Sequence, residues 1–433
     1  MIYRLKTSIL LGLAACLILS FSACLKDECT GTQTYIQYEP IYITYEEMRN
    51  NVKVVEAQEI QNPGKIYYYN NHIIVNEIEK GIHIINNNNP SNPVNVSFIE
   101  IAGNVDFAVK EGMLYADNYI DLVVFDITNI SQPNKVTRVE NVFNFYSYNA
   151  DLGLFVGYHQ TDITSEIDCQ DPRWISPYYY YDDFLFASDV DVAVNLSPSS
   201  TISNVPSSNA PSAGTAGSLS RFAIADCNLY CIDENNIDVY DVSTISQPSF
   251  VNEVSVDWGI ETLFPYGEYL FVGGQTGMYI YDNTVPSNPT FISNYEHFQA
   301  CDPVFVSGRY AYVTLRDGTA CAGFDNQLDI IDIIDIFNPS LVRSYELNHP
   351  GGLSIKDETL YICDGDAGLK VFDLLAGGTE INEIDKIRGI NAYDVINIPN
   401  SDVLLVSALD GIYQYDISNT SSLNQLSVIQ KAQ

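Results

Sequence analysis

The chain has 433 residues, and its 55 acidic against 20 basic residues give a formal net charge of −35. A charge of this sign repels phosphate backbones and anionic headgroups, so the composition argues against nucleic-acid binding. It is typical of a soluble, exposed protein, or of one that captures cations or basic partners. Hydrophobic residues make up 46% of the chain, with 31 Tyr and 19 Phe, which favours a strand-rich fold with a large core over disorder.

The amino terminus has the features of an export signal. Arg4 and Lys6 precede an apolar run over 9–19, and small residues stand before Cys24. A basic head, a short apolar core and small residues at the cleavage point are typical of a secretion signal, not of a membrane span. We therefore predict a signal peptide over 1–23 and lipidation of Cys24, because two or more acyl chains anchor a protein stably.

Two further segments follow the export signal. Residues 29–49 are aromatic, Thr-rich and β-prone, so we expect a tether over 24–51 that leaves room for an extra strand. Residues 52–60 look like a fourth strand and are predicted to close a ring by joining its last blade. The repeat domain itself is predicted over 52–433.

One pattern recurs along the rest of the chain. A residue that opens a short apolar segment is followed five positions later by an acidic or amide residue at Gly81/Asn86, Asp121/Asp126, Asn236/Asp241, Gly277/Asp282, Gln327/Asp332, Gly368/Asp373 and Gly411/Asp416. Proline stands seven positions after five of these closing residues, usually behind Ser-Asn or Ser-Gln. Such residues form turns that end one strand and start another, so we expect the closing residues to be structural.

The repeat predicts an all-β fold of the propeller type. In the clearest unit, 353–373, three strands alternate with a polar turn and a Gly/Asp turn, and other units continue into a fourth strand such as 94–101. A four-stranded unit that repeats about every 40 residues cannot bury both faces alone. Stacking such units radially produces a β-propeller.

These residues also carry a family resemblance. The stretches LYADNYIDLVVFDITNISQP, LYCIDENNIDVYDVSTISQP and LYICDGDAGLKVFD are similar to the LVIVD repeat of bacterial cell-envelope propellers, over residues 66 to 430. The chain resembles the LVIVD-repeat lipoproteins of Bacteroidetes-type bacteria, which imply no catalytic residues. Leu25–Glu28 resembles the Lys-plus-acidic signals that send such lipoproteins to the outer face of the outer membrane, although an ordinary acidic tether is the alternative.

The sequence leaves the blade number open between eight and seven. Residues 143–159 supply two strands between the second and the next clear unit, and counting them as a degenerate blade gives the favoured eight. If they belong to the neighbouring insertion at about 166–219, the ring has seven blades. The insertion ends in a Ser/Pro/Ala/Gly-rich tract that predicts a mobile surface loop. Its aromatic run, Tyr178–Tyr181, either packs back on the ring or meets a partner or glycan.

The cysteines suggest one disulfide. Of nine cysteines, Cys16 leaves with the signal and Cys24 is lipidated, so seven remain. Cys301 stands just before a first strand, and Cys321 lies in an insertion between a second and a third strand. In a propeller blade both connections emerge on one face, so we predict that these two cysteines pair. Cys363, in a predicted strand, is interpreted as a small buried hydrophobe.

No catalytic or metal-binding motif is present in the sequence, and the five histidines include no pair at metal-ligand helical spacing. The face predicted to carry the two paired cysteines also collects candidate ligand residues, namely Trp258, Arg316, His349, Asp364, Asp366 and Asp410. Asp364-Gly365-Asp366 offers oxygen ligands suited to Ca²⁺. We favour a turn-forming role for these residues, and hence no cofactor.

The sequence thus predicts a surface-anchored, non-catalytic binding or scaffold propeller of the outer membrane. We expect a monomer that is attached to the membrane by its lipid and has a protein or glycan partner. The alternative is an exported hydrolase or lyase that acts on a carbohydrate or a phosphorylated compound. Two carboxylates about 5–9.5 Å apart at the ring mouth would favour that alternative.

Overall fold

The structure is a computed structural model that describes residues 30–130, 132–168, 215–216, 218–257, 259–296, 303–316 and 326–432. The chain divides into two compact units, one of residues 1–41 with 157–190 and one of 42–156 with 191–433. Among the described residues, no helix is long and apolar enough to cross a membrane.

The elements are numbered in chain order. The described part of the chain begins with β1 (Thr30–Ile43), α1 (Tyr45–Asn50) and β2 (Lys53–Val55). Blade 1 consists of β3 (Pro63–Tyr69), β4 (His72–Glu77), β5 (Gly81–Asn86) and β6 (Val94–Glu100). Blade 2 consists of β7 (Phe107–Lys110), β8 (Met113–Asn118), β9 (Asp121–Asp126) and β10 (Asn134–Val139). Three strands follow, β11 (Tyr148–Asn149), β12 (Gly153–Asp168) and β13 (Thr215–Ala216).

The remaining strands belong to five further blades. Blade 3 consists of β14 (Phe222–Ala225), β15 (Asn228–Asp233), β16 (Asn236–Asp241) and β17 (Ser249–Ser255). Blade 4 consists of β18 (Ile260–Tyr266), β19 (Tyr269–Gly274), β20 (Gly277–Asp282) and β21 (Thr290–Glu296). Blade 5 consists of β22 (Val304–Ser307), β23 (Tyr310–Leu315), β24 (Gln327–Asp332) and β25 (Ser340–Glu346). Blade 6 consists of β26 (Leu353–Lys356), β27 (Thr359–Cys363), β28 (Leu369–Leu375) and β29 (Glu380–Ile387). Blade 7 consists of β30 (Ala392–Asn397), β31 (Val403–Ala408), β32 (Gly411–Asp416) and β33 (Asn424–Gln430).

Each of these blades is an antiparallel meander, and neighbouring blades share buried apolar clusters. Blades 1 and 2 pack through residues such as Ile74 and Phe107. The ring closes where Ile66 of blade 1 packs with Ile396 and Leu405 of blade 7. The first strands of the blades also contact one another around the ring, so they are its innermost strands. The predicted all-β propeller fold is therefore confirmed.

The described residues form eight antiparallel sheets, of which seven contain a four-stranded meander. The eighth sheet, in the order β1-β12-β11, is three-stranded. Residues 143–159, which we favoured as a degenerate blade, contribute β11 and the start of β12 to it. Of the two blade numbers that the sequence left open, the structure has seven four-stranded blades, because β12 pairs with the distant β1 instead of with a third strand of its own.

The amino-terminal strands differ from their predicted places. β1 is the extra strand that the sequence left room for, and Tyr38 packs edge-on against Tyr158 across the β1/β12 pair at 6.0 Å between ring centroids. β2 was predicted to join the last blade, but it pairs antiparallel with β6 as a fifth strand on the outer edge of blade 1, with Val54 opposite Ile99. Blade 7 is complete without it, from β30 to β33.

The closing residues cap the turn between third and fourth strands. The Asp126 carboxylate accepts a hydrogen bond from the Thr128 N–H at 2.8 Å, and Asp332 accepts one from the Ile334 N–H at 2.9 Å. Asn86, Asp241, Asp282 and Asp416 do the same two residues on. Blade 6 is the exception, because β28 continues past Asp373, which lies opposite Asn382 in the ladder.

Candidate functional site at the ring mouth

Two kinds of loop meet at one end of the propeller, as the strand order predicted. They are the loops that enter first strands and the loops that join second to third strands. The Asn104 side chain donates to Asp117 at 2.7 Å in blade 2, and the Asp364 carboxylate accepts from the backbone N–H groups of Asn348 and His349 at 2.8 and 2.9 Å in blade 6. We call this end the mouth face.

The inside of the ring is occupied by the protein's own chain. Residues 215–216 pair with β3 of blade 1 through their backbone. The Ser218 N–H donates to Asp394 of blade 7 at 3.2 Å, and its hydroxyl accepts from the Leu353 N–H of blade 6 at 2.6 Å. The Ser220 carbonyl accepts from the Leu263 N–H of blade 4 at 2.7 Å. Only a segment inside the ring can contact the first strands of four blades, so we call 215–216 with 218–220 the channel segment. The end of the insertion was predicted to be a mobile surface loop, and for its described residues this prediction is wrong, because they pair with inner strands.

A buried ion pair holds the end of the channel segment. The Lys65 ammonium, whose side chain is 1% exposed, pairs with Asp106 and donates to the Phe107 carbonyl at 2.9 Å and the Ser220 hydroxyl at 2.7 Å. The other Asp106 oxygen accepts from the N–H groups of Arg221 and Phe222 at 2.7 and 2.9 Å. Burial lowers the pKa of Lys65, and Asp106 opposes that shift. All three ammonium protons have partners within the chain, so this pair serves the fold.

Asp394 is a second buried ionisable group beside the channel segment. Burial raises its pKa to about 8, and the hydrogen bonds from Val395 and Ser218 and the charge of Lys65 only partly offset that effect. One of its carboxyl oxygens has no hydrogen-bond partner. At neutral pH this carboxyl therefore carries a proton for much of the time, which is how a buried acid avoids the cost of an unpaired charge.

Arg221 follows the channel segment directly, and its charge acts on two carboxyls at the mouth face. There burial raises the pKa of Asp117 to about 7 and also raises the pKa of Glu261, and the charge of Arg221 opposes both shifts. Arg316 acts on Glu261 in the same direction, and the Gln275 amide donates to Glu261 at 3.2 Å. Burial raises the pKa of Tyr146; the charge of Asp117 raises it further, and the charge of Arg221 lowers it.

These groups form one half-buried polar site. We call it the mouth cluster, and its members are Asp117, Tyr146, Arg221, Glu261, Gln275 and Arg316. It combines two guanidinium groups, two carboxyls whose pKa is raised, an amide and an aromatic ring. Such a set can donate and accept hydrogen bonds.

The residues that the sequence proposed lie apart on the mouth face. Arg316 belongs to the mouth cluster. Asp364 is buried and pairs with Lys370 at 2.7 Å, and Asp366 accepts from the Asn348 amide at 2.5 Å. Asp410 accepts from the Tyr413 hydroxyl at 2.6 Å. His349 is exposed beside Asp364.

Other predicted residues fall outside the part of the chain that the structure describes. They are Cys24, the aromatic run Tyr178–Tyr181, Trp258, Cys301 and Cys321. Among the described residues, no group of three or more His, Cys, Asp or Glu side chains is placed to hold a metal ion. Cys363 is fully buried in β27, which agrees with its interpretation as a small hydrophobe.

Sequence reasoning missed Lys65, Arg221 and Glu261. A signal existed for Lys65, which is the one charged residue of the otherwise apolar and aromatic strand β3. Arg221 and Glu261 stand at the start of two neighbouring repeats, 40 positions apart, and only the ring brings them together. No local motif marks such a pair.

Comparison with known proteins supports the repeat and the fold. A family model of the LVIVD repeat matches residues 102–141, 264–297 and 299–346, which include blade 2, most of blade 4 and blade 5. The chain carries LVIVD repeats. No curated protein matches this sequence.

Several solved structures resemble the propeller. A protein from Lactobacillus plantarum has a TM-score of 0.56 at 12% identity, over 86% of this chain and 97% of that one. The periplasmic gluconolactonase of Pseudomonas aeruginosa has a TM-score of 0.53 at 10% identity, over 86% and 96%. The computationally designed protein Ika8 has a TM-score of 0.50 at 11% identity, over 85% and 87%. At these identities the likeness establishes the fold alone.

Proposed function

We propose that this protein is a surface-anchored, non-catalytic propeller that binds a protein or glycan partner at its mouth face. The observation that carries the proposal is the channel segment, which lies inside the ring and is held there by hydrogen bonds with Lys65, Asp106 and Asp394. A partner that approaches the mouth face meets the side chains of the mouth cluster.

The chemistry of the mouth cluster suits a ligand rich in hydroxyl or amide groups. Arg221 and Arg316 donate fixed sets of N–H groups, and Asp117 and Glu261 accept. Binding sites of this kind use a few convergent polar groups to fix the orientation of a ligand. A glycan or a polar protein loop presents the complementary groups.

The test uses purified mature protein and an extract of envelope polysaccharide, with binding measured by calorimetry. Arg221→Gln and Arg316→Gln should each weaken binding about tenfold, which corresponds to about 1.4 kcal/mol. Arg343→Gln is the matched control, because Arg343 pairs with Glu380 on outer strands at 3.1 Å, away from the mouth loops. Unchanged binding in both mouth variants would remove the mouth cluster from the proposal.

We infer further that the protein is held at the outer membrane through lipidated Cys24 and faces the cell exterior, like the lipoproteins of Bacteroidetes-type bacteria that it resembles. The export features of residues 1–23 and the signal-like residues after Cys24 support this placement. Cys24→Ala should move the protein from the membrane fraction to the soluble fraction without unfolding it. Protease added to whole cells scores exposure separately, and survival of the intact chain would argue for an inward-facing location.

A second candidate function is hydrolysis or lyase chemistry on a carbohydrate or a phosphorylated compound at the same mouth. One observation favours it, namely the Asp117 carboxyl, whose pKa of about 7 suits a general acid or base near neutral pH. In an enzyme, Asp117→Asn would abolish turnover even at ligand concentrations that saturate binding. If wild-type protein binds the polysaccharide without releasing any product, this second function is excluded for that ligand.

A further inference from the structure

Three adjacent blades expose an apolar side chain at a position that is polar in the other four. It is the residue of the outer strand that lies opposite the residue before the closing one, and in every blade except blade 6 it is the second residue of that strand. Phe250, Phe291 and Leu341 occupy it in blades 3, 4 and 5 and are 56%, 56% and 47% exposed. The equivalent residues of blades 1, 2, 6 and 7 are Asn95, Lys135, Glu383 and Gln425.

The turn that leads into the outer strand of blade 5 also carries apolar residues at positions that are polar in other blades. Two positions after the closing residue, the turns of five other blades carry Asn88, Thr128, Ser243, Thr284 and Ser418. Five positions after it, the same turns carry Ser91, Ser131, Ser246, Ser287 and Ser421. Blade 5 has Ile334 and Phe337 instead, which are 71% and 70% exposed. The turn itself is unchanged, because the Ile334 N–H still donates to Asp332, so the fold does not require these apolar side chains.

The outer strand of blade 5 also has an open edge. β25 is the last strand of its sheet among the described residues, and nearly all of its side chains are exposed. An edge strand presents unpaired backbone donors and acceptors to which another strand can add. Blade 1 shows that the outer edge of a blade in this protein accepts a fifth strand, since β2 pairs there with β6.

We propose that the outer edge of blade 5 docks an extended segment of another protein, which adds to β25 as a fifth strand. We call the surface beside it the apolar rim; it consists of Ile334, Phe337 and Leu341, and Phe250 and Phe291 extend the apolar character to the neighbouring blades. The partner segment alternates apolar side chains, which contact Ile334, Phe337 and Leu341, with basic ones. Charge selects this partner over the other candidates, because a second copy would bring another net charge of −35 and an anionic lipid surface would also be repelled.

The probe is a fluorescent ten-residue peptide of alternating Ile and Lys, and its binding to the mature protein is followed by anisotropy. A peptide with Glu in place of Lys and one with Pro at alternate positions should bind at least tenfold more weakly, because the first loses the charge match and the second loses the strand pairing. Failure of the Ile/Lys peptide to bind, or equal binding of the Pro peptide, would overturn the proposal.

The rim variants replace each residue by the one that other blades already use. Ile334→Thr with Phe337→Ser, and separately Leu341→Lys, should reduce peptide binding at least tenfold and leave the urea midpoint unchanged. Val136→Thr is the control, since Val136 is 41% exposed on the outer strand of blade 2. Undiminished binding in the rim variants would show that the peptide binds the acidic surface non-specifically. A dimer that disappears in the same variants on ultracentrifugation would identify a second copy as the occupant and overturn the choice of partner.

Discussion

The ammonium group of Lys65 and the carboxylate of Asp106 form a buried ion pair between the innermost strand of blade 1 and the start of blade 2, against the channel segment. Lys65→Met should lower the free energy of unfolding by about 3–5 kcal/mol, because it leaves the Asp106 charge buried without its partner. Lys65→Met combined with Asp106→Asn should cost less than the single change. Urea unfolding of the mature protein measures both.

The control for this pair is Lys356→Met. Lys356 pairs with Asp402 at 2.7 Å, but Asp402 is 65% exposed, and solvent weakens such pairs to less than about 1 kcal/mol. If Lys65→Met cost no more than Lys356→Met, the central pair would have no special part in holding the channel segment.

Asp394 predicts a specific dependence of stability on pH. Its pKa is about 8 in the folded protein against 3.8 for an unperturbed carboxyl. Between these values the folded state binds more protons than the unfolded state, so the contribution of Asp394 to the free energy of unfolding falls as the pH rises. Asp394→Asn removes this pH-dependent contribution. The free energy of unfolding of the variant minus that of the wild type should therefore be about 1–4 kcal/mol larger at pH 8 than at pH 4.

The measurement for Asp394 is a series of urea unfolding curves from pH 4 to pH 9 for wild type and variant. The difference between the two should grow through this range and level off above pH 8. Asp151→Asn, at an exposed turn, serves as the control and should follow the wild type. A constant difference between Asp394→Asn and wild type would contradict the raised pKa.

The local signals in the sequence predicted the blades but not the pairings between distant segments. Asp126 and Asp332 accept hydrogen bonds from backbone N–H groups only two residues away, so the sequence around them was enough to predict these strand ends. β2 pairs with β6, about 45 positions away, and β1 pairs with β12 at a greater distance. The sequence of a single strand does not show which strand it pairs with, because every sheet edge offers the same backbone donors and acceptors. Residues 143–159 fitted a blade and a separate sheet equally well for this reason.

The candidate site was less predictable than the fold. Arg316 was found because the loop between second and third strands had to open on the mouth face. Arg221 and Glu261 were not found, because their proximity depends on how blades 3 and 4 close around the channel segment. The same holds for Lys65, whose partner Asp106 belongs to the next repeat.

Helix α1 should depend on Asp121 for its attachment to blade 2. The Arg49 guanidinium donates to Asp121 at 2.8 and 3.2 Å, Arg138 donates to it at 2.7 Å, and the Asp121 side chain is fully buried. Asp121→Ala should cost about 3–5 kcal/mol, because it removes the buried carboxylate that Arg49 and Arg138 share. Arg49→Ala should cost less, since Arg138 still neutralises Asp121.

A double-mutant cycle between Arg49 and Asp121 measures their coupling, which should be about 1–3 kcal/mol. Glu140→Gln is the control, because Glu140 also pairs with Arg49 at 2.8 Å but is 54% exposed. A coupling for Arg49 and Asp121 as small as that for Arg49 and Glu140 would mean that the buried contact does not hold the helix.

Cys301 and Cys321 are predicted to form a disulfide, and both lie outside the described residues. The described chain on either side is compatible with the pairing: the Thr314 N–H donates to the Pro303 carbonyl at 3.2 Å, and Val304 lies opposite Val313. Cys301 is two residues before Pro303 and Cys321 is five after Arg316, and one residue spans up to about 3.6 Å, so both thiols can reach a common point. A bridge across about 20 residues would add roughly 3 kcal/mol in the chain-entropy model.

Mass spectrometry of non-reduced peptides from the exported protein should find the linked pair, with Cys363 unmodified as an internal control because it is fully buried. Free thiols at both positions would show that the loop beside Arg316 is not tied to the entrance of blade 5.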